Sequence, residues 1–230
     1  MRQERVQAAL APRFVVWSLV LGVMGLSAVR AAAIGDNPPP ALGASLALEL
    51  TAATDLSASA HASLVAEVNA IWRRAGVRLE WRTATGQLPV PDSALRVLVM
   101  MRAAAVDDDD AWPVGELLPD QSGDSIAIAS IHGARRVLAA AGYMNDTTTR
   151  RDHRLGVILG RAVAHEIGHY LLRTSGHARS GLMRTGVDAR DFADLRDGRF
   201  FLDKEAALWV RQTLAVPSLT AERQSARYVY

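Results

Sequence analysis

The sequence predicts an α+β fold in which a mixed sheet packs on helices, and three observations support this prediction. Half of the 230 residues are apolar and 22% are charged, which provides enough material for a globular core. Apolar and charged residues alternate over 77–82, as in a strand with one buried face. Over 155–173 the apolar residues instead recur at helical spacing without an intervening proline. The length suits one domain, which we place at 45–216.

The first 33 residues predict a signal peptide that is removed on export. Three arginines precede an apolar run of 15 residues at 14–28, and the alanines at 31–33 fit a cleavage site. This run is shorter than the about 20 residues that span a bilayer. We therefore expect a secreted or periplasmic protein. The alternative is a protein anchored in the membrane by 14–28, if the signal is not cleaved.

The net charge and the cysteine count exclude several classes of function. Removing residues 1–33 takes away four arginines and one glutamate, so the formal net charge falls from +2 to −1. Without a positive field there is no electrostatic reason to bind nucleic acid, and we predict no such partner. The absence of cysteine excludes disulfides, thiolate metal sites and a cysteine nucleophile. A metal would therefore be bound by histidine or carboxylate side chains.

The elements that build the domain follow a proline-rich spacer at 34–44, which cannot be helical. Weak alternation predicts a first strand, and helical spacing up to Gly76 predicts the first helix. The alternating strand comes next. A nearly continuous apolar run then predicts a central strand, and a weaker run predicts a strand at an edge of the sheet. In chain order these elements are a strand at 46–50, a helix at 58–75, and strands at 77–82, 95–101 and 125–131.

The remainder of the chain is predicted to hold one long loop, two helices and a tail. Residues 102–124 contain prolines, glycines and four successive aspartates at 107–110. They favour a solvated loop over a calcium site, because the ligand spacing of a calcium loop is missing. The helical stripe should end at the Thr-Ser-Gly sequence of 174–176, and a final helix is predicted at 202–214. Residues 217–230 are predicted to form a flexible tail.

A His-Glu-x-x-His motif lies within the predicted helix of 155–173. His165 and His169 are four residues apart and so lie one turn apart on the same face, where two imidazoles can hold one ion. Glu166 falls inside the apolar arc of the helix, where an unpaired charge is costly and a divalent cation with its water would compensate it. The motif predicts a metal site in which Glu166 is the general base for a metal-bound water.

Catalytic zinc takes three protein ligands and keeps one position open, so the site needs a third donor. We predict that this donor is His177. In a continued helix His177 would lie about 12 Å along the axis from His169, so the chain must turn before it. Gly176 tolerates left-handed backbone angles, and the hydroxyls of Thr174 and Ser175 can cap exposed polar groups. The alternative is a carboxylate ligand from Asp188, Asp191, Asp194 or Glu205.

The stretch from His165 to His177, followed by Ser-Gly-Leu-Met at 180–183, resembles the metzincins, a group of the zincin metallopeptidases. In that group a third histidine follows the motif, and a methionine-containing turn lies under the metal. This chain departs from the usual pattern, because Leu172 stands where glycine is usual and the third histidine comes two residues later. The resemblance implies that zinc is bound by His165, His169 and His177, that Glu166 activates water, and that Met183 belongs to the turn.

The resemblance also implies a zincin-like fold: a mixed twisted sheet packed on the helix that carries the motif, with a smaller, mostly helical C-terminal part. It implies a zinc-dependent endopeptidase that cleaves a peptide or protein, which we expect to bind at the edge strand of 125–131. His132 and Tyr170 are candidates for stabilising the oxyanion. The alternative functions are a secreted binding or scaffold domain that uses the metal only for stability, and hydrolysis of an amide other than protein.

Overall fold

The computed structural model describes residues 44–83, 95–100, 114–119, 125–196 and 198–215. Four predictions lie outside these residues and stay predictions: the signal peptide, the spacer up to residue 43, the acidic run and the tail. The predicted spacer extends one residue too far, because Ala44 already belongs to the first strand.

The described elements alternate between strands and helices at first and are helical after the last strand. In chain order they are β1 (Ala44–Ala52), α1 (Ala58–Arg74), β2 (Val77–Thr83), β3 (Leu95–Met100), β4 (Gly115–Pro119), β5 (Ser125–Ser130), α2 (Ile131–Ala140), α3 (Thr148–Leu172), α4 (Ala189–Ala193) and α5 (Lys204–Ala215).

The five described strands form one sheet in the order β2-β1-β3-β5-β4. The pairs of β1 with β2, β1 with β3 and β3 with β5 are parallel, whereas β4 runs antiparallel to β5. The predicted mixed sheet is therefore confirmed. Alternate residues of β1 are buried, including Leu46, Leu48 and Leu50, so one face of the sheet contributes to the core.

Two predictions about the edge of the sheet are wrong. The strand β5 does not lie at the edge, because β4 pairs along it from Gly115↔Ala129 to Pro119↔Ser125. Residues 102–124 are not loop throughout, since they contain β4. A glycine and a proline bound this five-residue strand, and such residues usually indicate turns. Proline is tolerated here because it occupies the end of an edge strand.

The helix α2 is an element that apolar periodicity does not predict. It begins at Ile131, where the predicted strand of 125–131 should still continue. Ser130 ends the strand and caps the helix, because its hydroxyl accepts a hydrogen bond from the amide of Gly133 at 3.0 Å.

The helix α3 forms the centre of the domain and carries the motif. It begins at Thr148 rather than at 155, because the hydroxyl of Thr147 caps its first turn. A side chain at Gly156 would collide with the backbone carbonyl of Ala60, and its Cβ would lie 2.6 Å from that of Ser63. The helices α1 and α3 therefore approach each other more closely than a larger residue at 156 would allow.

The chain after α3 turns back along this helix. We call residues 173–196 and 198–203 the C-terminal segment. It contains the short helix α4 and is otherwise irregular, and α5 follows it. The prediction of a mostly helical C-terminal part is therefore wrong for this segment. Within the described parts of the chain, no helix combines the length and apolar character needed to cross a membrane.

Candidate metal centre

The helix α3 places His165, Glu166 and His169 near its C-terminal end. His165 and Glu166 are almost fully buried, at 1% and 2% exposure. The helix ends at Leu172, and Arg173 takes the left-handed conformation with φ 50°. The expectation that Gly176 would supply this residue is wrong. The expected capping by a hydroxyl is present, since Thr174 Oγ1 accepts a hydrogen bond from the amide of Gly176 at 2.9 Å.

This turn brings His177 back to the two histidines of the motif. One ligating atom from each of His165, His169 and His177 can be chosen so that all three lie within 4.8 Å of one another. The Nε2 atoms of His165 and His169 are 2.8 Å apart. Burial decreases from His165 through His169 to His177, so the cluster opens to solvent on the side of His177.

Two backbone carbonyls orient the two motif histidines. The Nδ1 atom of His165 donates to the carbonyl of Leu182 at 2.8 Å, and Nδ1 of His169 donates to the carbonyl of Thr174 at 2.6 Å. A carbonyl can only accept, so Nδ1 carries the hydrogen and Nε2 of a neutral ring presents its lone pair. Two lone pairs that face each other at 2.8 Å repel unless a cation lies between them. The donor set therefore fits a divalent metal ion.

The electrostatic surroundings keep these imidazoles in the neutral form that binds metals. Burial, and then the neighbouring His169, hold the pKa of His165 well below its usual range. Burial also lowers the pKa of His169 and of His177. All three side chains can therefore coordinate a metal near neutral pH.

Glu166 is a buried acid beside the histidine cluster. Its Oε1 atom has no hydrogen-bond partner among the described residues. Burial, and then the nearby Glu116, raise the pKa of Glu166 to about 8. A cation with its water would compensate this carboxylate, as the apolar arc of the helix predicts.

The strand β4 lines the site, although the sequence does not predict this strand. A Cβ built on Gly115 would lie 2.7 Å from Oε1 of Glu166. Because Gly115 has no side chain, the carboxylate of Glu166 can occupy this space. No periodic signal could have identified this contact, because it depends on how β4 pairs with β5.

Met183 lies against the motif helix, opposite a glycine of the motif. It is 6% exposed, and its sulfur would collide with a side chain at Gly168. Its carbonyl accepts a hydrogen bond from the amide of Ala178 at 2.7 Å, which closes the loop that begins after His177. The position of Met183 agrees with the predicted turn, and its role stays a prediction.

The alternative carboxylates do not belong to the histidine cluster found in the described residues. Asp188 caps α4 through the amide of Arg190, Asp191 pairs with Arg199 at 2.9 Å, and Asp194 accepts from the amide of Arg196.

Three remaining candidates lie at the ends of helices. Glu205 lies in the first turn of α5. His132 lies in the first turn of α2, and Tyr170 follows the motif on α3; both are partly exposed. Their proposed part in stabilising an oxyanion stays a prediction.

Three solved chains are similar to this one. No family model matches the chain, and no curated protein matches it. The crystal structure of archaemetzincin (amzA) from Methanopyrus kandleri at 1.5 Å resolution is similar to this chain with 13% sequence identity and a TM-score of 0.43. The similarity covers 76% of this chain and 98% of the archaemetzincin chain. These values do not establish a shared activity.

Proposed function

We propose that this chain is an exported zinc-dependent metalloendopeptidase that hydrolyses peptide bonds with Glu166 as general base. The observation that supports this most strongly is the pair of carbonyl-oriented imidazoles of His165 and His169, which converge with His177 beside a buried, unpartnered carboxyl oxygen. Structural histidines have no need of such convergence, whereas metal ligands do.

Zinc would be held by His165, His169 and His177. Three imidazole donors with one open position are typical of catalytic zinc. When bound there, zinc would supply a Lewis acid that polarises the scissile carbonyl and lowers the pKa of water towards neutrality. The two carbonyl hydrogen bonds keep the ligating nitrogens aimed at one point.

Glu166 would carry the proton through the reaction. Its Oε1 atom would accept a proton from the attacking water and then deliver it to the nitrogen of the leaving amine. In the metal-free chain burial raises the pKa of Glu166 to about 8, and a cation held by the histidines would favour the carboxylate, which is the form that accepts a proton.

The substrate would bind along β4. Among the described strands β4 pairs only with β5, so its other edge is open to an extended peptide. Gly115 at the start of β4 adjoins Glu166, which would bring the scissile bond of a peptide on this edge close to the base. This proposal replaces the expected binding edge at 125–131, which β4 covers.

The test compares wild type with the variants Glu166→Gln and Glu80→Gln on a mixed fluorogenic peptide library. We expect Glu166→Gln to retain one zinc per chain and to lose at least about 100-fold in cleavage rate. Glu80→Gln removes an exposed carboxyl on β2, at the opposite edge of the sheet, and should remain active. If the wild type holds zinc and cleaves no peptide, the peptidase function is wrong, and the scaffold function and hydrolysis of another amide are the functions left.

Export is a separate part of the proposal, because it depends on residues 1–33 alone. Expression of the full chain with an intact secretion pathway should yield a product that begins near Ile34. N-terminal sequencing checks this. A membrane-bound product that still begins at Met1 would mean that 14–28 anchor the protein.

A further inference from the structure

Two buried arginines of α3 hold the C-terminal segment by its backbone. Arg154 donates to the carbonyl of Ala193 at 2.9 Å, and Arg161 donates to the carbonyls of Phe192 at 2.8 Å and Asp194 at 2.9 Å. These carbonyls lie at the end of α4, where a helix leaves its acceptors without internal partners. The guanidinium groups supply the missing donors.

Arg161 makes further contacts that fix it in the interior. Its side chain is 1% exposed, and its Nε atom donates to Oε1 of Glu67 on α1 at 2.9 Å. Its guanidinium carbon lies 4.2 Å from the centre of the Phe200 ring. One side chain thus connects α1, α3, the end of α4 and the ring of Phe200.

From Phe200 the connection continues to the metal centre. The carbonyl of the next residue, Phe201, accepts a hydrogen bond from the amide of Leu182 at 2.8 Å. Gly181 has φ +78°, and a Cβ there would lie 2.5 Å from the carbonyl oxygen of Phe201. The backbones at Gly181 and Phe201 therefore approach each other closely. The carbonyl of the same Leu182 orients His165.

We propose that Arg161 is a positioning residue for the metal centre. It holds the end of α4 and the ring of Phe200, and the backbone next to Phe200 sets the place of the Leu182 carbonyl that orients His165. Arg161 and His165 are one turn apart on α3, so the helix holds the C-terminal segment at two points, Phe192 and Leu182. This inference rests on the metal site of the proposed function.

Arg154 provides a matched control on the same helix. It is also a buried arginine with one carboxylate partner, Asp146 at 2.7 Å, and it packs 3.6 Å from the centre of the Tyr143 ring. It differs from Arg161 in that its aromatic partner is Tyr143, which lies between α2 and α3, and not Phe200. Loss of either arginine should destabilise the fold, and only loss of Arg161 should disturb His165.

The first test measures the zinc affinity of the full-length chain by competition with a chelating indicator, well below the melting temperature of each variant. We expect Arg161→Met to weaken zinc binding by about 10-fold or more, as for other partners outside the ligand sphere, and Arg161→Lys to recover part of the loss. Arg154→Met should stay within about threefold of wild type. Equal affinities for Arg161→Met and wild type would overturn the proposal, as would equal losses for both arginine variants.

The second test observes the metal-free protein by NMR. The Nδ1 hydrogen of His165 should give a protected ring N–H signal because it is buried and bonded to Leu182. Arg161→Met should speed its exchange with solvent by at least about 10-fold, while Arg154→Met leaves it unchanged. An unchanged signal in Arg161→Met would make the residue purely structural and overturn the proposal.

Two further points keep the result interpretable. If Arg161→Met does not fold, Phe200→Leu tests the same connection with an apolar side chain retained, and it should weaken zinc binding severalfold. Wild-type affinity in Phe200→Leu would then overturn the proposal. If wild type itself binds no zinc, the proposed function fails. If wild type binds zinc and the variants match it, only the positioning by Arg161 fails.

Discussion

The frame of the domain and the C-terminal segment share one apolar core and differ in how their backbones are held. We use "frame" for the five described strands with α1 and α3. The frame is built from strand ladders and from side chains such as Leu64, Leu159 and Ile167, which are fully buried. The C-terminal segment also buries apolar side chains such as Phe192 and Phe200, and in addition polar side chains of α3, Arg161 and His165 among them, hold it through its backbone.

This difference places the proposed site at a boundary. His165 and His169 belong to the frame, whereas His177 and the carbonyls that orient the other two belong to the C-terminal segment. Local stability depends on buried apolar contacts, which are dense in the frame. His165 and His169 thus lie on a packed helix before any metal binds, whereas residues 173–180, which carry His177, are exposed and depend on a few hydrogen bonds.

Removal of the metal should affect the two regions differently, and this is the largest expected effect. Without zinc, backbone amides of 174–184 should exchange with solvent far faster than those of β1 and β3. Zinc at about 1,000 times its dissociation constant should slow the exchange of these amides. It should raise the free energy of opening of 174–184 by up to about 4 kcal/mol. Hydrogen exchange with mass spectrometry checks this. Uniform protection of both regions in the metal-free protein would contradict the comparison.

The pH dependence of the free energy of unfolding should show what it costs to ionise Glu166 in the folded, metal-free protein. Its folded-state pKa of about 8 lies above the ordinary value of 4.5, so between these pH values the folded state keeps a proton that the unfolded state has lost. The stabilisation from this group is complete below pH 4.5 and is lost as the pH rises to about 8. It should fall by at most about 1.4 kcal/mol for each pH unit.

The variant Glu166→Gln isolates this effect from the histidines. Their lowered pKa values act in the opposite sense, because protonation of the unfolded state destabilises the fold as the pH falls below about 6.5. Urea unfolding of both proteins at pH 5, 6.5 and 8 should show Glu166→Gln gaining on wild type as the pH rises. A difference that stays constant with pH would mean that Glu166 is not buried as described.

Packing changes should affect the frame more than the exposed residues 173–180. Gly156→Ala forces a methyl group against the backbone of α1 and should lower the free energy of unfolding by about 2 kcal/mol. At Gly176 the nearest atom to a new Cβ is Thr174 Oγ1 at 3.1 Å, so Gly176→Ala should change stability by less than about 0.5 kcal/mol. Thermal unfolding distinguishes them, and equal losses would contradict the comparison.

The same contrast explains what the sequence could predict. The spacing of apolar residues predicts which side chains are buried. The predicted strands at 77–82 and 95–101 therefore agree with β2 and β3 to within a few residues. The predicted helices at 58–75 and 155–173 agree in the same way with α1 and α3, apart from the start of α3. The short strand β4 has no such period. Its place depends on pairing with β5, which is a contact distant in sequence.

The side chains of the site could be predicted from the sequence, whereas its backbone contacts could not. The spacing of His165 and His169 on a helix indicates a shared ion, and the need for a third donor indicates His177. The carbonyls of Leu182 and Thr174 have no signature in the sequence, because every residue has a carbonyl. The left-handed residue at Arg173 could not be predicted either, because glycine is the usual residue in this conformation.

The most direct test of the account is the metal content of the purified chain together with the number of imidazoles bound to the metal. X-ray absorption at the zinc edge resolves this number through scattering from the imidazole rings. We expect one zinc per chain with three imidazoles in wild type, the same result in Asp188→Ala, and loss of most of the zinc in His177→Ala. A protein that binds no zinc, or that keeps its zinc in His177→Ala and loses it in Asp188→Ala, would contradict the proposed centre.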